Sequence, residues 1–209
     1  MRAASASRPG RALIYCTAGL FLLGGCGGKP LVRVAVPFDP VQARKRLEPG
    51  TNQIAGSALL WLSTGGVISC AGETATLYPA TAYAREWARL TYDTVEPGKA
   101  TPQGFAYRPK DEDAANGGVV VDPSFLEIGH TVPCDGDGHF HFERVGDGEF
   151  YLVARIVWQP HIWDEHHFFY GNRYHSREGT VMKKIRVHGG EKVTASLRWS
   201  VPNSRYNLW

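Results

Sequence analysis

Short runs in which hydrophobic and polar residues alternate occupy most of this 209-residue chain. Residues 54–62 and 67–70 flank Ser63-Thr64-Gly65-Gly66, a hairpin signal because glycine takes φ > 0 without steric cost. Thr74-Ala75-Thr76-Leu77-Tyr78 alternates and is stopped by Pro79. His139-Phe140-His141-Phe142-Glu143 alternates after the turn-forming Asp135-Gly136-Asp137-Gly138, and Asp147-Gly148 leads into residues 150–158. In that last run Phe150, Leu152, Ala154, Ile156 and Trp158 share one face of a strand. Val181, Ile185 and Val187 do the same further on, as do Val193, Ala195, Leu197 and Trp199, with Gly189-Gly190 between the two runs. Residues 80–92 differ: Tyr83, Trp87 and Leu90 recur at helical spacing, with Arg85, Glu86 and Arg89 off the stripe. Residues 93–118, rich in proline, glycine and charge, read as a long surface excursion. The pattern predicts a mainly β protein, an antiparallel sandwich with one short helix packed on it.

The N-terminus follows another logic. Arg2, Arg8 and Arg11 precede an apolar run at 12–23, too short to span a bilayer, and Leu23-Gly24-Gly25-Cys26 closes it. This segment resembles the signal of bacterial lipoproteins. In that family the lipobox cysteine takes fatty acyl chains such as palmitate and becomes the first residue of the mature protein. The resemblance implies a signal peptide at 1–25 and lipid attachment at Cys26; a tether is expected over 26–50, and the remaining length suits one domain over 51–209. Gly27 stands where inner-membrane retention would call for Asp, so the expected location is the outer membrane of the cell envelope.

That division changes the charge balance. Three of the 23 basic residues leave with the signal, and the 20 that remain match the 20 acidic ones. An even balance gives no pull toward polyphosphate, which argues against nucleic-acid binding. With Cys16 in the signal and Cys26 acylated, Cys70 and Cys134 remain. Exported thiols tend to pair, so a disulfide is expected; two reduced thiols or a metal site are the alternatives, and neither cysteine sits in a C-x-x-C pair.

A second resemblance rests on residues 56–60, Gly65-Gly66-Val67, Cys70-Ala71-Gly72 and Leu77-Tyr78-Pro79-Ala80-Thr81-Ala82-Tyr83. It continues in Asp137-Gly138-His139-Phe140-His141-Phe142 and in Val145-Gly146-Asp147-Gly148-Glu149-Phe150-Tyr151-Leu152. These are similar to the carboxypeptidase regulatory-like domain, the last two to its central hairpin, with Gly146 where the family has proline. The resemblance implies a transthyretin-like (prealbumin-like) Greek-key sandwich that serves as an accessory or interaction module and carries no catalytic residues.

The chain shows no G-x-S-x-G, no G-x-x-x-x-G-K and no H-E-x-x-H, so neither enzymatic activity nor a cofactor is expected. Asp135-Gly136-Asp137-Gly138 lacks the distal glutamate of an EF-hand and reads as a turn. His139 and His141, two apart on a strand, share a face and are metal candidates if a third ligand arrives. The aromatic stretch 158–175 offers a candidate recognition loop through Trp163, His166, His167, Tyr170 and Tyr174. Capping of the sandwich is the favoured role, because so many exposed rings would form an unusual apolar patch.

The expectation is a non-enzymatic, lipid-anchored envelope protein acting as a structural or interaction module. Its partners would be the membrane, through its lipid, and another envelope protein or a glycan. The alternative is a periplasmic metal-binding protein using His139, His141 and a loop histidine.

Overall fold

Alternation becomes two stacked sheets in the computed structural model, which describes residues 31–62, 65–92, 103–108, 118–158 and 177–200. In chain order the elements are β1 (Val32–Arg33), α1 (Pro40–Arg46), β2 (Asn52–Trp61), β3 (Val67–Ser69), β4 (Thr74–Pro79), α2 (Ala82–Tyr92) and β5 (Gln103–Arg108). There follow β6 (Val119–Val120), α3 (Pro123–Glu127), β7 (His130–Pro133), β8 (His139–Val145), β9 (Gly148–Trp158), β10 (Arg177–Val187) and β11 (Lys192–Ser200). One sheet runs β5-β10-β9-β4-β7. In the other, β2 carries β11 along one edge and shares its second edge between β8, beside residues 52–57, and β3, beside 59–61. The protein is the mainly β sandwich that periodicity predicts.

Residues expected to point inward do so. Phe150, Leu152, Ala154, Ile156 and Trp158 meet Phe140, Phe142, Ile54, Leu60, Leu197 and Val187 in the core between the sheets. Strand β9 is buried on both sides, because its opposite face carries Tyr151 and Val153 into a second core. There α2 lays Tyr83, Ala84, Trp87 and Ala88 over the five-stranded sheet. Tyr78, Tyr83 and Trp87 surround Phe125 of α3, at ring-centroid distances of 4.9, 4.9 and 5.1 Å. The order of layers is therefore helices, five-stranded sheet, four-stranded sheet.

Several expectations are corrected. The described residues hold three helices rather than one. Asp39-Pro40 and Asp122-Pro123 each begin a short helix, with the aspartate as cap: Asp39 Oδ1 accepts from the N–H of Val41 and Gln42, and Asp122 Oδ1 from that of Ser124. Proline at the first helical position lacks only a donor that would have no partner there, so both prolines start helices instead of breaking them. From Leu31 onward the stretch expected as a tether is part of the body. Strand β1 pairs β6, Val34 joins the second core, Phe38 packs tilted against Tyr83 and edge-on against Phe125, and Ala43 is buried. The excursion at 93–118 contains β5, an edge strand on β10.

Two pairings, β2–β11 and β1–β6, are parallel. The expected central hairpin is a corner: β8 pairs β2 in one sheet while β9 pairs β4 and β10 in the other. The turn into β11 likewise changes sheets, which is how the last strand comes to lie parallel to β2.

Cys70 and Cys134 form a disulfide, with Cα atoms 5.9 Å apart. It ties the start of the β3–β4 turn to the residue after β7, at one pole of the sandwich. At the opposite pole Asn52, fully buried, joins the β8–β9 and β10–β11 turns. Its Nδ2 donates to Val145 O (3.0 Å) and Asp147 Oδ1 (2.8 Å), and its Oδ1 accepts from the N–H of Gly190 and Glu191 (2.8 Å each).

Candidate functional site

The outer face of the four-stranded sheet is left open by the described residues, and its ladder builds a groove. In register, Thr194, Ala55 and His141 form one row across β11, β2 and β8, and Ser196, Ser57 and His139 form the next. The central strand contributes small side chains and its neighbours taller ones. Strands lie about 4.8 Å apart, so the walls stand roughly 10 Å from one another. The resulting depression holds about 790 Å³ and is bounded by Pro133 and Asp135 at the disulfide pole and reaches Arg198 on β11. Arg198 Nε donates to Ser196 Oγ at 2.8 Å, which fixes the side chain beside the groove.

Gly56 keeps the floor in place. A Cβ there would fall 1.9 Å from Ala195 O and 2.7 Å from the Phe140 ring, so only glycine lets the strands close beneath the groove. Gly138, with φ 79°, forms the end wall's turn; a Cβ there would meet Ser69 at 2.5 Å.

The end wall is a turn whose carboxylate is engaged by backbone. Asp135 Oδ1 accepts the N–H of His139 (2.8 Å) and of Asp137 (3.0 Å). These bonds, His139's first, hold the Asp135 carboxyl below the usual carboxylate range. Asp135, Asp137 and His139 bring ligand atoms within 4.8 Å of one another, all three residues exposed. His141 is not in that group; its Nδ1 lies 3.8 Å from Glu143 Oε1. The two histidines share the outward face as expected, but their nearest charged neighbours are carboxylates rather than each other.

A triad of residue types also meets here, which motif searching missed because it spans three elements. Ser57 faces His139 across the ladder, and Asp135 Oδ1 is 3.5 Å from His139 Nδ1. No hydrogen bond joins Ser57 to His139 among the described residues. The His139 and Asp135 side chains are 62% and 59% exposed, so water screens the pair. Acyl transfer needs a nucleophile–base contact and preorganised donors in a dry site. The groove offers hydrogen-bonding groups along a shallow, open trough.

Of the residues marked in the sequence, Cys70 and Cys134 stand together at the groove's end and His139 and His141 form its wall. Cys26 and the loop residues Trp163, His166, His167, Tyr170 and Tyr174 lie outside the described residues.

No family model and no curated protein matches this chain. A crystal structure from Pseudomonas aeruginosa does. It is described as that of a "putative carbohydrate binding protein", with a TM-score of 0.54 at 20% sequence identity, and the match covers 78% of this chain and 99% of that one. At that identity the likeness establishes a shared fold, over nearly the full length of the neighbour.

Proposed function

We propose that the protein is a non-catalytic interaction module, held in the bacterial cell envelope by lipid on Cys26, that takes a polar ligand in the groove over β2. The observation that carries this reading is the open groove itself. It is floored by Ala55 and Ser57 and walled by imidazoles on one side and hydroxyls and a guanidinium on the other. Donors and acceptors at that spacing suit a glycan, whose hydroxyls serve as both. The description of the fold neighbour as a carbohydrate-binding protein points the same way.

Glycan-array binding by the protein tests this. Ala55→Arg puts a long charged side chain in the groove from an exposed position. Expected is loss of glycan binding with the melting temperature unchanged. Binding that survives Ala55→Arg, or ester turnover abolished by Ser57→Ala, would overturn the reading.

The anchor has its own test. Cys26→Ser is expected to move the protein from the membrane fraction to the soluble fraction, since no described helix is long and apolar enough to cross a membrane. A Cys26→Ser protein that still sediments wholly with membranes contradicts lipid attachment at that residue.

A further inference from the structure

We infer that residues 31–46, together with α3 beside them, form a docking strap that lies on the anionic lipid leaflet holding the acyl chains and turns the groove away from it. The inference rests on the lipid-anchor reading of Cys26. Large exposed hydrophobics are few among the described residues, and they are concentrated here. Leu31, Val32, Val41 and Leu126 are four of five, with Val41 75% exposed; the other is Val67 on β3. Cations keep them company. Arg33, Arg44, Lys45 and Arg46 all lie exposed on the strap, and α1 contains no acidic residue.

The strap's one carboxylate, Asp39, is occupied in capping α1 through the N–H of Val41 and Gln42. From the packed elements, Glu86 of α2 accepts the Val36 N–H, α2 adds the exposed Arg85 and Arg89, and α3 adds Glu127. Helices α1 and α3 are neighbours: Arg44 and Leu47 share a shallow depression with Ser124, Glu127 and Ile128. The Phe38 ring sits 5.6 Å from that of Phe125.

Single aliphatic side chains among basic ones do not make a protein–protein core, which needs a contiguous apolar centre. They do suit the headgroup boundary, where aliphatic groups enter the acyl edge and Lys and Arg meet anionic phosphates. The chain length fits as well. Leu31 lies five positions after Cys26, a reach of at most about 17 Å. An acyl anchor that close keeps the strap at high effective concentration beside the leaflet, so weak contacts suffice. The strap covers the helical layer, and the groove opens on the opposite side of the sandwich. A domain lying strap-down therefore presents its groove to the aqueous space.

The test uses the acylated mature protein carrying an environment-sensitive fluorophore on Val41→Cys. It is reconstituted into vesicles of phosphatidylcholine, with or without phosphatidylglycerol. A blue shift is expected only with phosphatidylglycerol, reversed by high salt and lost in the R44Q/K45Q/R46Q background. Equal emission on both vesicle types, with the protein sedimenting on both, overturns the strap while leaving the anchor intact. So does a shift that survives the triple substitution. An N-terminal fragment mass without acyl chains overturns the anchor, and the strap with it.

Discussion

Replacing Cys70 and Cys134 together by alanine is expected to lower stability by about 4 kcal/mol, the chain-entropy value for a closed loop of this length. The bond joins residues 64 apart in sequence, and both cysteines are buried. It also holds the end of one sheet to the other where few strands cross: Cys134 N–H donates to Glu73 O at 2.8 Å, and Cys70 N–H to Ala58 O at 3.2 Å. At roughly 2–4 °C per kcal/mol for a domain of this size, the midpoint should fall by about 10 °C. Thermal unfolding of the double variant against the oxidised protein measures it. A drop of only a degree or two would mean that the unfolded chain is already compact around this loop. Because the Cys134 end adjoins Asp135, the variant should also bind ligand more weakly in the groove.

The second large effect is at Asn52, where alanine should cost on the order of 3 kcal/mol. All four hydrogen-bonding positions of this buried amide are in use, and its partners come from two turns, β8–β9 and β10–β11. Truncation removes the side-chain partner of Val145 O and of the Gly190 N–H and leaves the Glu191 N–H only its 3.3 Å bond to His188 O; an unmade buried bond costs more than the bond was worth. Asn52 also acts on Asp147. Its amide, followed by the Gly189 N–H, holds the Asp147 carboxyl below the usual carboxylate range. A carboxyl lowered in the folded state stabilises above its unfolded pKa, and that contribution disappears as pH falls through the lower folded value. Stability should therefore decline with acid from about pH 4 downward. Asp147→Asn should flatten that decline, as followed by denaturant midpoints across the acid range. An Asp147→Asn profile identical to that of the parent would show that Asp147 is not the group responsible.

Burial on the strands was legible because a strand's two faces alternate in sequence. Phe140 and Phe142 went inward and His139 and His141 outward, as their spacing requires. Strand β9 was less so. Its inward residues were apparent, but the strand period alone does not show that Tyr151 and Val153 on the opposite face are buried too, in a second core under α2. The missed helices had a usable signal in the repeated Asp-Pro dipeptide, which prolines elsewhere disguised as loop. Strand β5 had Gln103-Gly104-Phe105-Ala106-Tyr107-Arg108, a weak alternation hidden in a segment dominated by glycine, proline and charge.

The groove was half legible. Two histidines on one face are visible in the sequence, yet the small floor at Ala55 and Ser57 and the wall at Thr194 and Ser196 come from strands about 140 residues apart, brought together by the parallel β2–β11 pairing. Nothing local announces that pairing. The same holds for Asn52, whose partners lie 93 to 139 residues away and which by itself looks like any polar residue opening a strand.

Periodicity and composition by themselves pointed to a β-sandwich and to the side chains that fill its centre, while the expected Cys70–Cys134 pair rested also on the resemblance of the N-terminus to a lipoprotein signal. Those properties are written in neighbouring residues: strand and helix periods, turn glycines and thiol count are local. Tertiary structure alone decided which strands share a sheet, that the corners at Gly146 and Gly189 pass the chain from one sheet to the other, and that the N-terminal strap packs on the body. Those outcomes depend on which of several equally apolar faces meet, a competition among long-range contacts that no short stretch of sequence records.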